Sequence, residues 1–381
     1  MSEWKKVKLG EITSIKTGKL DSNASVSNGI YPFFTCDPST LSIDKWAYDT
    51  EAILLAGNNA SGNYTAKYYK GKFNAYQRTY IIETLNPQFA SVRFMAYAMN
   101  QQLQLLKVMS TGSTTKFLTM KMLTQLTINL PQIEIQHRIA NILSRYDSLI
   151  ENYQKQIKLL EEAAQRLYKE WFVDLHFPGH ENTNIIDGVP EGWEKKKLYE
   201  IAEVVMGSSP KSEFYNNDKQ GLPFHQGVGS YGTRFVDDNV YSTSITRLAE
   251  PNSILFSVRA PVGRLNITKN KIIIGRGLAA MNHKDGSQSF LFYMLKERFF
   301  IDNIIGNGSI FASISKVELL DQEFIVPPMK TIKAFESLAS KLDKKIQGVD
   351  TQLRLLTEAR DRLLPKLMNG EMEIQDNKQV K

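Results

Sequence analysis

LPQIEIQHRIANILSRYDSLIENYQKQIKLLEEAAQRL, residues 130–167, returns as VPPMKTIKAFESLASKLDKKIQGVDTQLRLLTEARDRL, residues 326–363, aligned without a gap at a constant offset of 196. Pro131, Ser144, Asp147, Ile150, Gln156, Leu159, Leu160, Glu162, Ala163, Arg166 and Leu167 meet Pro327, Ser340, Asp343, Ile346, Gln352, Leu355, Leu356, Glu358, Ala359, Arg362 and Leu363. Upstream, Trp4, Leu9, Glu11 and Ile12 reappear as Trp193, Leu198, Glu200 and Ile201, now at an offset of 189. A unit of globular segment plus long helix therefore occurs twice. The stretches Lys19–Ser110 and Ser208–Ile305 between these matched ends are unlike each other, so one framework carries two different readers.

The helical reading rests on period and punctuation. Gln132–Phe177 contains neither Gly nor Pro, room for a helix of about 70 Å at ~1.5 Å per residue. Ile142, Tyr146, Leu149, Tyr153, Gln156, Leu160, Ala163 and Leu167 follow one another in steps of four and three, a coiled-coil seam, and Ile150, Ile157, Ala164 and Trp171 widen the stripe. The second copy repeats it with Leu338, Leu342, Lys345, Val349, Gln352, Leu356, Ala359 and Leu363, stopping at Pro365 and carrying Gly348 as a local weakness. A pseudo-twofold relation between the copies makes the two helices antiparallel, a ruler with one globular domain at each end. Gln156 and Gln352 share one seam position, and are expected either to pair and fix the register or to face solvent at a slightly different phase.

These boundaries predict an α+β chain: a first recognition domain over 1–131, a central long helix over 132–177, a second domain over 178–327 whose residues 178–191 are linker, and a C-terminal long helix and tail over 328–381. At 381 residues each copy is large enough to bury its own core. No apolar run approaches the ~18 residues of a membrane span, and the N-terminus lacks an apolar signal core. Cys36 alone allows no internal disulfide, in keeping with a reducing cytoplasm, and five scattered histidines offer no metal-ligand spacing.

Charge is uneven. Between Ala52 and Ile133 the one acid, Glu83, faces Lys67, Lys70, Lys72, Arg78, Arg93, Lys107, Lys116 and Lys121; Pro251–Lys284 has no acid but carries Arg259, Arg264, Lys269, Lys271, Arg276 and Lys284. Each globular segment thus has its own basic zone, suited to a phosphate backbone at two separate places, or else a solvated surface without ligand.

Several strings, in this order, resemble the DNA specificity subunit of type I restriction-modification systems: Tyr31–Thr35, Gln77–Tyr80, Thr111–Ser113, Leu222–Gly227, Ser257–Gly263, Gly275–Leu278 and the two Pro-headed helices. The resemblance covers essentially the whole chain. It implies two target-recognition domains, each reading one half of a bipartite, asymmetric site on double-stranded DNA, with paired helices that set the spacing and dock two methyltransferase subunits. It also implies a separate restriction and translocase subunit, and a recognition chain that binds no cofactor itself while its partners use S-adenosylmethionine, ATP and Mg2+. The two basic zones differ in sequence, so details do not transfer between domains.

Other chemistries are poorly supported by the residues. Gly227–Gly232 matches G-x-G-x-x-G, but strand and turn follow it instead of a helix. No Gly-rich cofactor loop with an Asn-Pro-Pro-Tyr-like string is present, as an adenine methyltransferase would carry, and Glu194–Lys196 is too little for a nuclease. Asn58, Asn59, Ser61, Tyr64 and Lys67 form a polar, Gly-punctuated stretch after the apolar run Ala52–Ala56, and Arg78 lies beside it. Asn can bind adenine edges in bidentate fashion; Tyr and Lys can touch phosphate or stacked bases. Ser113, Thr114 and Lys116, ahead of the first long helix, could cradle a phosphate. In the second domain His225, Gln226, Tyr231 and Arg234 make the comparable loop, with Arg259 and Arg276 as phosphate contacts or turn braces. Helix packing and partner docking are expected at Ile142, Leu149, Tyr153, Gln156, Leu160, Leu342, Val349, Gln352 and Leu356.

Overall fold

The computed structural model describes residues 4–59, 64–102, 107–108, 116–299 and 313–372. Contacts divide the chain into two compact units, residues 1–152 with 352–381, and residues 153–351. Each long helix, Ile133–Phe172 and Met329–Met368, is thereby shared between the units.

The first unit is built on a six-stranded sheet. Its order is Thr13–Thr17, Thr79–Thr84, Tyr48–Ala56, Ala66–Ala75, Tyr31–Phe34 and Leu41–Ile43. Only the pairing of Tyr31–Phe34 with Ala66–Ala75 is parallel. The run Ala52–Ala56 occupies a central strand because both of its faces are covered. Ile53 and Leu55 meet Phe94, Met95 and Met99 of helix Val92–Gln101. Ala52 and Leu54 meet Phe34, Phe73 and Ile81 on the other side. Ser91 caps that helix by accepting a hydrogen bond from the Phe94 amide. Lys5–Lys8 pairs with Thr127–Leu130, which feeds the first long helix after Pro131.

The far end of the second long helix completes this core. Leu367 and Met368 are buried among Leu9, Ile139 and Leu143, with Leu363 and Leu364 packed alongside. Pro365 was expected to stop the helix, yet the helix runs on to Met368. A proline costs the amide that would reach back to residue 361, and burial of Leu367 and Met368 one turn later outweighs it. The turn then closes with Gly370 at φ 71°, beneath Trp4: a Cβ on Gly370 would lie 2.8 Å from Trp4 Nε1.

The second unit repeats the frame with a different filling. A four-stranded sheet runs Ala202–Met206, Leu278–His283, Ile254–Ser257, Leu265–Ile267; a second contains Tyr215–Asn216, Tyr241–Ser242, Leu222–His225, Ile272–Ile274 and Leu248–Ala249. Glu194–Lys197 pairs with Glu323–Val326, as Lys5–Lys8 does with Thr127–Leu130. Tyr168, Trp171 and Phe172 near the end of the first long helix ring Phe335 near the start of the second, with centroids 5.8, 5.9 and 5.1 Å away.

The buried row of each long helix sits partly off the expected seam. Tyr153, Leu160, Leu342 and Leu356 lie half-buried and Val349 buried, as the seam requires. Leu143, Ile150, Ile157, Ala164 and Trp171 are buried, whereas Leu149 is 48% exposed; on the second helix Ala339 and Ile346 are buried and Leu338 is exposed. So broad an apolar stripe leaves the phase open by one residue, about 100° of rotation, and burial selects the row one residue further along: Ile150 for Leu149, Ile157 for Gln156, Ala339 for Leu338 and Ile346 for Lys345. Ile142 lies half-buried against the first unit's core. Gln352 is exposed and Gln156 half-buried, one residue away from the buried rows, and the two fall in different units. The solvent-facing alternative therefore describes Gln352.

Candidate functional site

The central strand of the first unit leaves its sheet at Gly57. The Gly57 amide donates to the Arg78 carbonyl at 2.7 Å, and the Gly57 carbonyl accepts from the Leu118 amide at 2.8 Å. A Cβ here would come within 2.5 Å of the Arg78 oxygen, so the crossing admits only glycine without a shift. Asn58 and Asn59 then pair with Phe117 and Lys116. The Cys36 thiol donates to Asn58 Oδ1 at 2.7 Å, and the exposed Arg78 guanidinium lies 5.9 Å from the Phe117 ring centre. Asn58, Asn59, Arg78 and Lys116 are thus brought to one rim, with Cys36 and Phe117 as members that residue type alone did not suggest.

The second unit builds the same rim by the same main-chain bonds. Val258 donates to Gly277 and accepts from Ile314, both at 2.9 Å, as Gly57 does with Arg78 and Leu118. Gly275 donates to His225 as Tyr76 does to Phe34. Arg259, next along the chain, bridges Ser313 where Asn58 pairs with Phe117. Around it gather Gln226, Arg276 and a residue missed in the sequence, Ser209. The Ser209 hydroxyl donates to Gln226 Oε1 at 2.7 Å and accepts from the Arg276 amide at 3.2 Å. Gly277 lets Gln226 approach: a Cβ there would lie 2.5 Å from the Gln226 carbonyl oxygen.

Other expected site residues lie elsewhere. Arg234 is a correction: its side chain is 2% exposed, and its Nη2 donates to Asp343 Oδ1 at 2.6 Å and to the Tyr293 hydroxyl at 3.3 Å. Glu161 lies 3.8 Å from Nη1 and the Phe292 ring centre 3.7 Å from the guanidinium carbon. A buried guanidinium must be paired, and this one ties its loop to helix Gln288–Phe299 and to both long helices instead of facing a ligand. His225 is likewise interior, its Nδ1 2.7 Å from Ser230 Oγ and its Nε2 2.9 Å from Asp238 Oδ1. Burial alone would raise the Asp238 carboxyl; hydrogen bonds from His225 and Asn270 outweigh it and hold the group below the usual carboxylate range. Tyr231 has its hydroxyl buried, which pushes that group up. Tyr64 is buried in the core, and Lys67 is held against the Pro38 carbonyl at 2.6 Å. Ser61, Ser113 and Thr114 lie outside the described residues.

Asp343 and its repeat mate Asp147 hold matching places in the two units. Tyr293 donates to Asp343 at 2.8 Å, and Tyr97 donates to Asp147 through a shorter bond; the two tyrosines also stand at the offset of 196. Burial first, and then the carboxylate, push both phenols up. Around Asp147 the cation is Arg360 of the second long helix, at 3.1 Å. Sequence carried the signal, because both aspartates sit in the matched run.

The basic zones are thinner than their composition. Lys269 pairs with Asp350, Lys271 with Glu250 at 2.6 Å, and Lys70 with Glu51 at 3.5 Å. Arg78, Lys116, Arg259 and Arg276 have no carboxylate partner among the described residues, so each rim keeps positive charge of its own. Among the described residues no group of three His, Cys, Asp or Glu could hold a metal ion, and no helix is long and apolar enough to cross a membrane. Gly227–Gly232 forms a short 3-10 turn followed by a bridge from Tyr231 to Val236, without the helix a dinucleotide site requires. Two rims of amide and guanidinium groups can bind planar hydrogen-bonding edges and phosphates.

The family described as type I restriction modification DNA specificity domain matches residues 1–162 and again 190–353. The EcoDI specificity subunit of Escherichia coli is 27% identical over 411 residues, 98% of this chain and 89% of that one. The MjaIX specificity subunit of Methanocaldococcus jannaschii is 31% identical over 289 residues, spanning 71% of this chain and 66% of its own length. A further protein of that organism is 32% identical over 258 residues, 60% of its length. The crystal structure of the S subunit from M. genitalium superposes with a TM-score of 0.68 at 19% identity, covering 98% of this chain and 97% of the other, a likeness of fold.

Proposed function

Since the chain belongs to the type I restriction-modification DNA specificity family, we propose that it is the non-catalytic subunit that reads a bipartite, asymmetric DNA site, one half-site per globular unit, and directs adenine methylation and restriction by partner subunits. One observation carries this reading: the same main-chain frame presents Asn58 with Arg78 on one rim and Arg259 with Gln226 on the other. A duplicated scaffold with unlike readers recognises two unlike sequences.

The long helices form the antiparallel pair that spaces the half-sites. In support, the start of the first helix lies beside the end of the second in one unit, where Asp147 meets Arg360, and the reverse holds in the other, where Tyr168 meets Phe335. Apolar side chains left exposed on them, Leu149, Leu159 and Leu355, suit two methyltransferase subunits. Those partners and a restriction and translocase subunit supply S-adenosylmethionine, ATP and Mg2+ chemistry in the cytoplasm, and this chain holds none of these cofactors.

Methylation mapping by single-molecule sequencing tests the reading, using cells that express the chain with its neighbouring methyltransferase and cells that lack the chain. A bipartite modified motif present only with the chain is expected. No chain-dependent motif leaves a helical scaffold as the better account, and methylation or cleavage by the purified chain with cofactor alone makes it an enzyme.

A further inference from the structure

Asn58 and Arg259 are far apart in sequence but hold the same position on their respective frames. The bond from residue 57 to Arg78 and the bond from residue 258 to Gly277 are the same bond, as are those from Leu118 and Ile314. The next residue in each unit pairs with residue 117 or with residue 313. We infer that this position is the base-reading position of each domain, with Asn58 selecting an adenine in one half-site and Arg259 a guanine in the other. The inference rests on the DNA-reading role proposed above and assigns it to particular side chains.

Each side chain meets the requirement of a reader. Arg259 is exposed, and among the described residues its guanidinium has no hydrogen-bond or ion-pair partner. Arg234, Lys269 and Lys271 in the same unit are all spent on carboxylates. A free planar fork suits the O6 and N7 acceptors of guanine. Asn58 is half-buried and oriented: the Cys36 thiol occupies one lone pair of Oδ1, leaving the second lone pair and, among the described residues, both hydrogens of Nδ2 without a partner. That is the acceptor and donor pair that adenine N6 and N7 demand. Cations flank both positions, Arg78 and Lys116 on one rim and Arg276 on the other, where they would hold phosphate while the central group reads.

The experiment maps methylation in cells expressing the chain and its methyltransferase, with Arg259→Ala, Arg259→Gln, Asn58→Ala and Asn58→Asp compared to the unaltered chain. Arg259→Ala is expected to relax a single G·C position in one half-site by about 10- to 100-fold and to leave the other half-site intact. Asn58→Ala does the same at a single A·T position of the opposite half-site. Arg259→Gln moves preference at its position toward adenine, and Asn58→Asp, which keeps shape and the Cys36 bond, moves preference toward cytosine. An unchanged motif, uniform weakening at every position in complexes of unaltered melting temperature, or relaxation of both variants in one half-site overturns the assignment. Absence of any motif with the unaltered chain instead overturns the DNA-reading role itself.

Discussion

Replacing Asp343 by Ala should cost far more than replacing Asp147 by Ala, although the two aspartates are the same residue of the repeat. In the second unit the carboxylate is 21% exposed and neutralises Arg234, whose side chain is 2% exposed. Removing one member of a buried ion pair costs about 3–5 kcal/mol, because the other charge stays buried; Glu161, 3.8 Å from Nη1, offsets part of that, which places the loss near ~3 kcal/mol. In the first unit Asp147 is 40% exposed and its partner Arg360 also binds Asp361 at 2.7 Å. Solvent screening limits that pair to ~0.2–1 kcal/mol; the tyrosine bond lost with the carboxylate, from Tyr97 here and Tyr293 there, is common to both units and leaves the difference unchanged. Hydrogen exchange of helix Gln288–Phe299 in Asp343→Ala, and of helix Val92–Gln101 in Asp147→Ala, reads each unit separately. Equal loss of protection in the two variants would refute the reasoning, as would failure of Arg234→Met combined with Asp343→Leu to recover stability.

Three more expectations follow from the same geometry. Leu367→Ala should destabilise the first unit by about 2–5 kcal/mol through a cavity beside Leu9 and Leu143, measured by urea unfolding, and should leave exchange in the second unit unaltered. Asp238, held below its ordinary value of 3.8, contributes stability that is present above that value and lost as the pH falls through the lowered one; acid unfolding of the second unit should show this limb, and Asp238→Asn should flatten it. In DNA binding by the assembled complex, Arg276→Ala and Lys116→Ala should each lower the slope of log affinity against log salt by about 1 without altering the motif, whereas a changed motif would make them base readers.

The frame was legible because its signals are periodic. The Pro131 and Pro327 helix starts and the apolar run at Ala52 each express a local rule, and the long helices and the central strand follow it. The helix phase was legible only to within one residue, since Leu149 and Ile150 both fit a wide apolar stripe and burial chose Ile150. Site residues were harder. Arg234 and Arg259 look alike in sequence, both in polar surroundings near glycines, but Arg234 meets Asp343 across 109 residues and Arg259 meets no acid among the described residues. Long-range pairing decides whether a charge is structural, and residue type says little about it. Ser209 and Cys36 became visible only through the bonds that bring them to Gln226 and Asn58.

The division of each long helix between units also makes the two folds unequal in what they need. The second unit is one unbroken stretch of chain, residues 153–351, whereas the first needs Leu363, Leu364, Leu367 and Met368 to close over Leu9, Ile139 and Leu143. The domain whose sequence is made first is sealed by residues that are made last.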